Sequence, residues 1–124
     1  MELKQYFEEN NGRGVLATAD SAGKVDAAVF ARPHAMEDGT VAFIMPDRLT
    51  HHNLQSNPHA AFLFIEDGGK WTGKRLFLTK VREEKDTELL HSLRRKSYGD
   101  DHEGRYLVFF RVDKVLPLVG AGEA

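Results

Sequence analysis

The chain has 124 residues, 41% of them hydrophobic and 29% charged, with a formal net charge of -2 and no cysteine. That length suits one domain over residues 1–124, burying roughly two-thirds of the surface its unfolded chain exposes. The missing cysteines exclude a disulfide framework, thiolate catalysis, an iron–sulfur cluster and a Cys-ligated zinc. The absence of any basic block argues against nucleic acid as a partner. No apolar run approaches the ~18–20 residues that span a bilayer, and the charged opening MELKQYFEEN does not read as a signal peptide, so the cytoplasm is the default setting.

In chain order, Glu2–Asn11 reads as a short helix, with Leu3, Tyr6 and Phe7 on one face and Asn11-Gly12 as its stop. Gly14–Ala19 and Lys24–Arg32 read as strands joined by the turn Asp20-Ser-Ala-Gly23. Pro33 ends or bends the second strand. Glu37-Asp38-Gly39 then turns the chain into a third, Thr40–Met45, which is expected to lie antiparallel beside the second. Asp47–Ser56 is a short polar helix with an apolar row of Leu49 and Leu54, closed by Asn57-Pro58. Ala60–Ile65 is a buried strand, and Asp67-Gly68-Gly69 a tight turn. Trp71–Val81 is a fifth strand with Leu76, Leu78 and Lys80 on one face and Phe77, Thr79 and Val81 on the other. Asp86–Lys96 is a helix that Asp86 or Thr87 can cap, with a stripe of Leu89, Leu90 and Leu93 and a basic end, Arg94-Arg95-Lys96. Ser97–Gly104 is a polar loop, Arg105–Val119 a last strand interrupted at Asp113-Lys114 and Pro117, and the remaining tail is frayed.

Six strands joined mostly by tight turns, with three small helices, predict a mainly β fold: an antiparallel barrel, which hides the sheet edges a flat meander would expose. Tyr106–Val112 and Trp71–Leu78 carry more apolar residues than one small core can obviously hide, which predicts an interface with a second copy.

The stretch that invites a ligand is the passage from Met45-Pro46 into the helix at Arg48, Leu49 and Thr50. A strand-to-helix turn leaves backbone N–H groups unpaired at the positive end of the helix dipole, which suits a phosphate. An arginine fork and a threonine hydroxyl add donors there. The competing account is that Thr50 caps the helix and Arg48 is a solvated charge. His51 and His52 are adjacent and point roughly 100° apart on a helix, so they do not share an ion, and no HxxxH spacing links His51, His52 and His59. No metal site is expected. Solvent or an interface is the expected setting of these histidines, although His51 follows Thr50 closely enough to lie near a phosphate. Trp71, alone after Gly68-Gly69, suits either stacking on a ligand or burial.

The order of these elements, together with Leu49-Thr50-His51-His52-Asn53-Leu54-Gln55-Ser56-Asn57-Pro58 (L-T-x-x-N-L-x-x-N-P) before an apolar strand, resembles the FMN-binding split barrels related to pyridoxamine-phosphate oxidase. The resemblance runs from the first helix to the last strand. It implies a six-stranded split barrel, a homodimer, and FMN at the subunit interface. Its ring would lie against Val29, Phe30 and Ala31 and against Ile44, Met45 and Pro46. Its phosphate would meet Arg48, Leu49 and Thr50, within the segment that ends at Asn53, with Arg32 as a second cation. The family often carries a lysine where this chain has Thr50. The vitamin oxidase also has a basic C-terminal segment, whereas this sequence ends Val119-Gly-Ala-Gly-Glu-Ala124, which implies a relative with another substrate. No nucleophile–base arrangement is legible, so a bound flavin would carry the chemistry, with NAD(P)H or another small molecule as electron partner. The alternatives are a non-catalytic flavin carrier, the same barrel holding haem or F420, and a ligand-free interaction module.

Overall fold

The computed structural model describes residues 2–93 and 104–120. The elements are α1 (Leu3–Glu9), β1 (Gly12–Ala19), β2 (Val25–Phe30), β3 (His34–Ala35), β4 (Val41–Pro46), α2 (Leu49–Ser56), β5 (His59–Glu66), β6 (Gly73–Lys85), α3 (Glu88–Leu93) and β7 (Arg105–Pro117). The strands form one sheet in the order β2-β1-β5-β6-β7-β4-β3, with every pairing antiparallel. The sheet curls. Phe30 on β2 and Phe43 on β4 belong near opposite ends of the strand order, yet their rings meet edge to face at 5.8 Å.

Seven strands stand where six were expected, and the additional one follows from Pro33. Proline breaks the run after Phe30, and His34–Ala35 resumes as a separate short strand against Val41 and Ala42. The turn at Glu37-Asp38-Gly39 is present, with Asp38 Oδ1 accepting the Thr40 N–H at 3.0 Å, but it joins β3 to β4. The expected pairing of the second and third strands is therefore absent: β2 and β4 run antiparallel across a gap and share no ladder.

Inside the curl, alternate residues of each strand build the core: Leu16, Phe62, Phe64, Leu76, Leu78, Val108 and Phe110, with Val41, Phe43 and Met45 from β4. Gly14 lets the Phe62 ring approach β1, since a Cβ there would come within 2.2 Å of that ring. Tyr6 and Phe7 of α1 close one end against Phe64, with ring centroids 6.0 and 5.2 Å away. A second cluster on the other face of β4 and β7 (Ala42, Leu107, Phe109) is covered by Leu90 of α3. Tyr106–Val112 and Trp71–Leu78 thus supply the chain's own core at Leu107–Phe110, Leu76 and Leu78, while Trp71 stays exposed.

Several local expectations change. Helix α1 stops at Glu9 with Asn10 extended, while Gly12 already belongs to β1. The open carbonyls of Phe7 and Asn10 accept Arg32 Nη1 at 2.7 and 3.1 Å. Thr87 Oγ1 caps α3 by accepting the Leu90 N–H at 3.3 Å. Leu90 is buried, whereas Leu89 of the expected stripe is exposed. The break at Asp113-Lys114 is a bulge within a continuous β7, where Asp113 has no cross-strand partner and accepts the Thr79 hydroxyl at 2.5 Å. Arg94, Arg95 and Lys96, the loop from Ser97 to Glu103 and the last four residues lie outside the described residues. No helix among the described residues is long and apolar enough to cross a membrane.

Candidate functional site

The gap between β2 and β4 is a cleft of about 380 Å³, within the size range of small-molecule sites. One wall is β2 and its continuation, Ala28 to Arg32 with Asp26 and His34. The other is Phe43 to Pro46 of β4. Strand β2 is a terminal strand of the sheet, and β4 pairs with β3 only through Val41 and Ala42. Both walls therefore present a strand edge whose main-chain N–H and C=O groups have no ladder partner on that side. The floor is apolar, supplied by Phe30, Phe43 and Met45.

One end of the cleft is polar. It is formed by Arg48, Leu49 and Thr50 at the start of α2, by Asp26, and by Arg105 at the start of β7. Pro46 ends β4 and Arg48 N–H bonds back to its carbonyl at 2.9 Å, which turns the chain into the helix. Arg48 is the N-cap and makes no side-chain capping bond, and the first helical bond is His52 N–H to Arg48 C=O at 2.9 Å. The N–H groups of the first turn are thus left without capping by a side chain. Thr50 does not cap the helix either: it is buried, and its hydroxyl donates towards Asp26 Oδ2 at 3.5 Å. Leu49, expected in an apolar row with Leu54, is 54% exposed at the mouth, while Leu54 is buried.

Val29, Phe30, Ala31 and Arg32, then Ile44, Met45 and Pro46, then Arg48, Leu49 and Thr50 all line this one cleft. Arg32 does so with its guanidinium also held by the α1 carbonyls. His51, Asn53 and Trp71 lie outside the lining. His51, expected at solvent or an interface, is 5% exposed. Its ring stacks on Tyr106 with centroids 3.7 Å apart, Nδ1 faces Asp47 at 3.1 Å, and Nε2 faces Glu83 at 3.0 Å. Burial opposes the charge on Glu83, but the Lys80 ammonium, the His51 ring and the Gln55 amide outweigh it and lower its pKa to about 2. Asn53 donates to the buried Thr18 hydroxyl at 3.1 Å. Asn57 reaches the Asp20 carbonyl at 3.4 Å and accepts the His59 N–H at 3.0 Å. Both asparagines of the N-L-x-x-N-P stretch therefore serve to seat α2 on the barrel. Trp71 is 74% exposed with φ +54, a left-handed conformation unusual for a bulky residue.

Asp26, His34 and Arg105 are the lining residues with chemistry that the sequence did not reveal. Asp26 could have been found from the alternation of β2, which places it on the half-buried face with Ala28 and Phe30. Arg105 carries no local signal, because it reaches the cleft through the long-range pairing Pro46↔Arg105. No three His, Cys, Asp or Glu side chains among the described residues are gathered as for a metal.

No family model and no curated protein matches the chain. Solved structures do. An FMN-binding protein from Syntrophomonas wolfei superposes with a TM-score of 0.78 at 21% identity, over 96% of this chain and 85% of that one. An F420 reductase superposes with a TM-score of 0.70 at 14% identity, over 93% of this chain and 97% of the other. A candidate pyridoxamine 5'-phosphate oxidase from Lactobacillus delbrueckii gives 0.70 at 15% identity, over 94% and 92%. At these identities the likeness shows the fold: the antiparallel split barrel that the order of elements predicts.

Proposed function

We propose that the protein binds FMN in the cleft between β2 and β4 and acts as a flavin-dependent oxidoreductase on a small-molecule donor or acceptor. The observation that carries the reading is the cleft itself: an apolar slot between two open strand edges that ends at a cation and an uncapped helix start. The ring would lie between Val29–Ala31 and Ile44–Pro46, where only main-chain groups can meet its polar rim. The phosphate would lie at Arg48 and Thr50. FMN supplies hydride and electron transfer, and the chain's residues bind it, orient it and keep water from its faces. The FMN-binding protein among the similar structures supports this choice, and the F420 reductase favours F420 as the second reading.

A homodimer belongs to the same reading. Val25 and Val29 on β2 are 84% and 82% exposed. They continue across the sheet into Val15, Ala17 and Leu63 through the registers Val15↔Val29, Ala17↔Ala27 and Val15↔Leu63. This outward apolar face, bordered by the open edge of β2, suits a second copy, which would also cover the cleft mouth. A cytoplasmic setting, where reduced nicotinamides are available, completes the reading.

Flavin fluorescence titration of the parent and Arg48→Ala tests the site. FMN should weaken about ten- to a hundredfold in the variant, the loss of one charge-assisted pair, while riboflavin binding is unchanged. An unchanged FMN affinity would place the phosphate elsewhere. Steady-state NADH or NADPH oxidation with added FMN separates an enzyme from an electron carrier.

A further inference from the structure

Arg105 stands at the polar end of the cleft without a role in anything described so far. It pairs with Pro46 across β4 and β7, which puts its backbone one strand away from the turn that carries Arg48. It lines the same cleft as Arg48, Thr50 and Asp26 and is half-buried. Among the described residues neither its guanidinium nor that of Arg48 is engaged by a carboxylate.

The backbone of Arg105 is held unusually firmly. Asp86 adopts φ +52, the left-handed region that a non-glycine residue rarely occupies. In that conformation its carboxylate accepts the N–H groups of Gly104 and Arg105, both at 3.2 Å, and its own N–H bonds the Arg105 carbonyl at 3.1 Å. Three hydrogen bonds thus fix the point from which the Arg105 side chain departs.

The charges at this end call for a second cation if a phosphate dianion is to sit there. Asp26 contributes a negative charge there, and the Thr50 hydroxyl already leans on that carboxylate at 3.5 Å. Arg48 alone would leave a dianion and a carboxylate facing one guanidinium in a partly desolvated site, which is unfavourable. Arg32 has its Nη1 committed to the α1 carbonyls. We infer that Arg105 is a phosphate-binding residue, closing with Arg48 a two-arginine clamp on the phosphate monoester of the ligand in the β2–β4 cleft. The claim rests on the flavin reading and adds to it the group that sets the preference for a phosphorylated flavin. A guanidinium fork suits the task because it binds two phosphate oxygens at once.

The test is fluorescence titration of FMN and of riboflavin into the parent, Arg105→Gln and Arg105→Lys, with a thermal melt of each. Arg105→Gln should weaken FMN about tenfold or more and riboflavin less than about twofold, and Arg105→Lys, which keeps the charge and loses the fork, should fall between. If Arg105→Gln does not fold, Arg105→Lys carries the test, and an FMN-to-riboflavin ratio equal to the parent's overturns the inference. Equal weakening of both flavins also overturns it, since that is the mark of a structural role. A parent that prefers FMN, with the preference intact in Arg105→Gln, overturns this inference and leaves the flavin reading standing. A parent that binds neither flavin overturns both.

Discussion

The Thr50 hydroxyl and the Asp26 carboxylate stand 3.5 Å apart at the polar end of the cleft, and they tie α2 to β2 where no ladder joins β2 to β4. This places a negative charge beside the region where an anionic ligand group would bind. Asp26→Asn should therefore tighten FMN several-fold, by about 1 kcal/mol for a like charge removed at several ångströms in a partly solvated site. Riboflavin should not respond. Calorimetric titration of both flavins measures this, and an FMN affinity that falls on substitution would mean the carboxylate contributes to binding.

Phe30 and Met45 both line the cleft, yet they differ in what they hold up. Met45 is wholly buried in the main core, whereas Phe30 is half-buried against Phe43 at the cleft floor. Met45→Ala should cost about 2–5 kcal/mol of folding stability, the range for truncating a buried methionine. Phe30→Ala should cost less stability and weaken flavin binding through lost packing without abolishing it. Denaturant unfolding of the two variants beside flavin titrations separates these effects. Equal stability losses would contradict the assignment.

Glu83 gives the fold an acid limit. Its pKa is lowered from 4.5 to about 2: burial disfavours the charge, but contacts with Lys80, His51 and Gln55 prevail. A group whose folded pKa is depressed stabilises above its unfolded value, and that stability is lost as pH falls through the folded one. The window here is about pH 4.5 down to about 2. The stake is on the order of 3 kcal/mol. Thermal melts should show the loss in the parent and a flatter pH dependence in Glu83→Gln, which should also be less stable at neutral pH. Parallel curves for the two proteins would contradict this.

How far the sequence could be read depended on whether its signals were local. Turn chemistry at Asp20–Gly23 and at Asp38-Gly39, the two-residue alternation of Leu76 and Leu78, and the stop at Asn57-Pro58 each act within a few residues, and each appears where expected. Strand neighbours were not local. The pairing of β4 with β7, the ladder missing between β2 and β4, and Arg105 in the cleft all arise from contacts across most of the chain. A histidine on a polar helix looks solvated in sequence, and only Tyr106 and Glu83, arriving from distant strands, bury His51. The two strand segments lining the cleft were legible because chain order and the motif carried them.

The outward face of β2 predicts self-association. Light scattering should give a particle of about twice the 14.0 kDa chain mass at micromolar concentration. Val25→Lys, on an 84% exposed residue outside the cleft, should shift it towards the monomer without loss of secondary structure. A parent already monomeric at that concentration, or a variant still dimeric, would contradict this use of the face.

The visible spectrum of the purified protein, stripped of small molecules and then offered FMN, F420 or haem in separate samples, tests the central claim most directly. The account predicts uptake of about one FMN per chain with a perturbed flavin band, and neither a Soret band with haem nor retention of F420 after desalting. Exclusion of FMN, or retention of haem or F420 in its place, would contradict it.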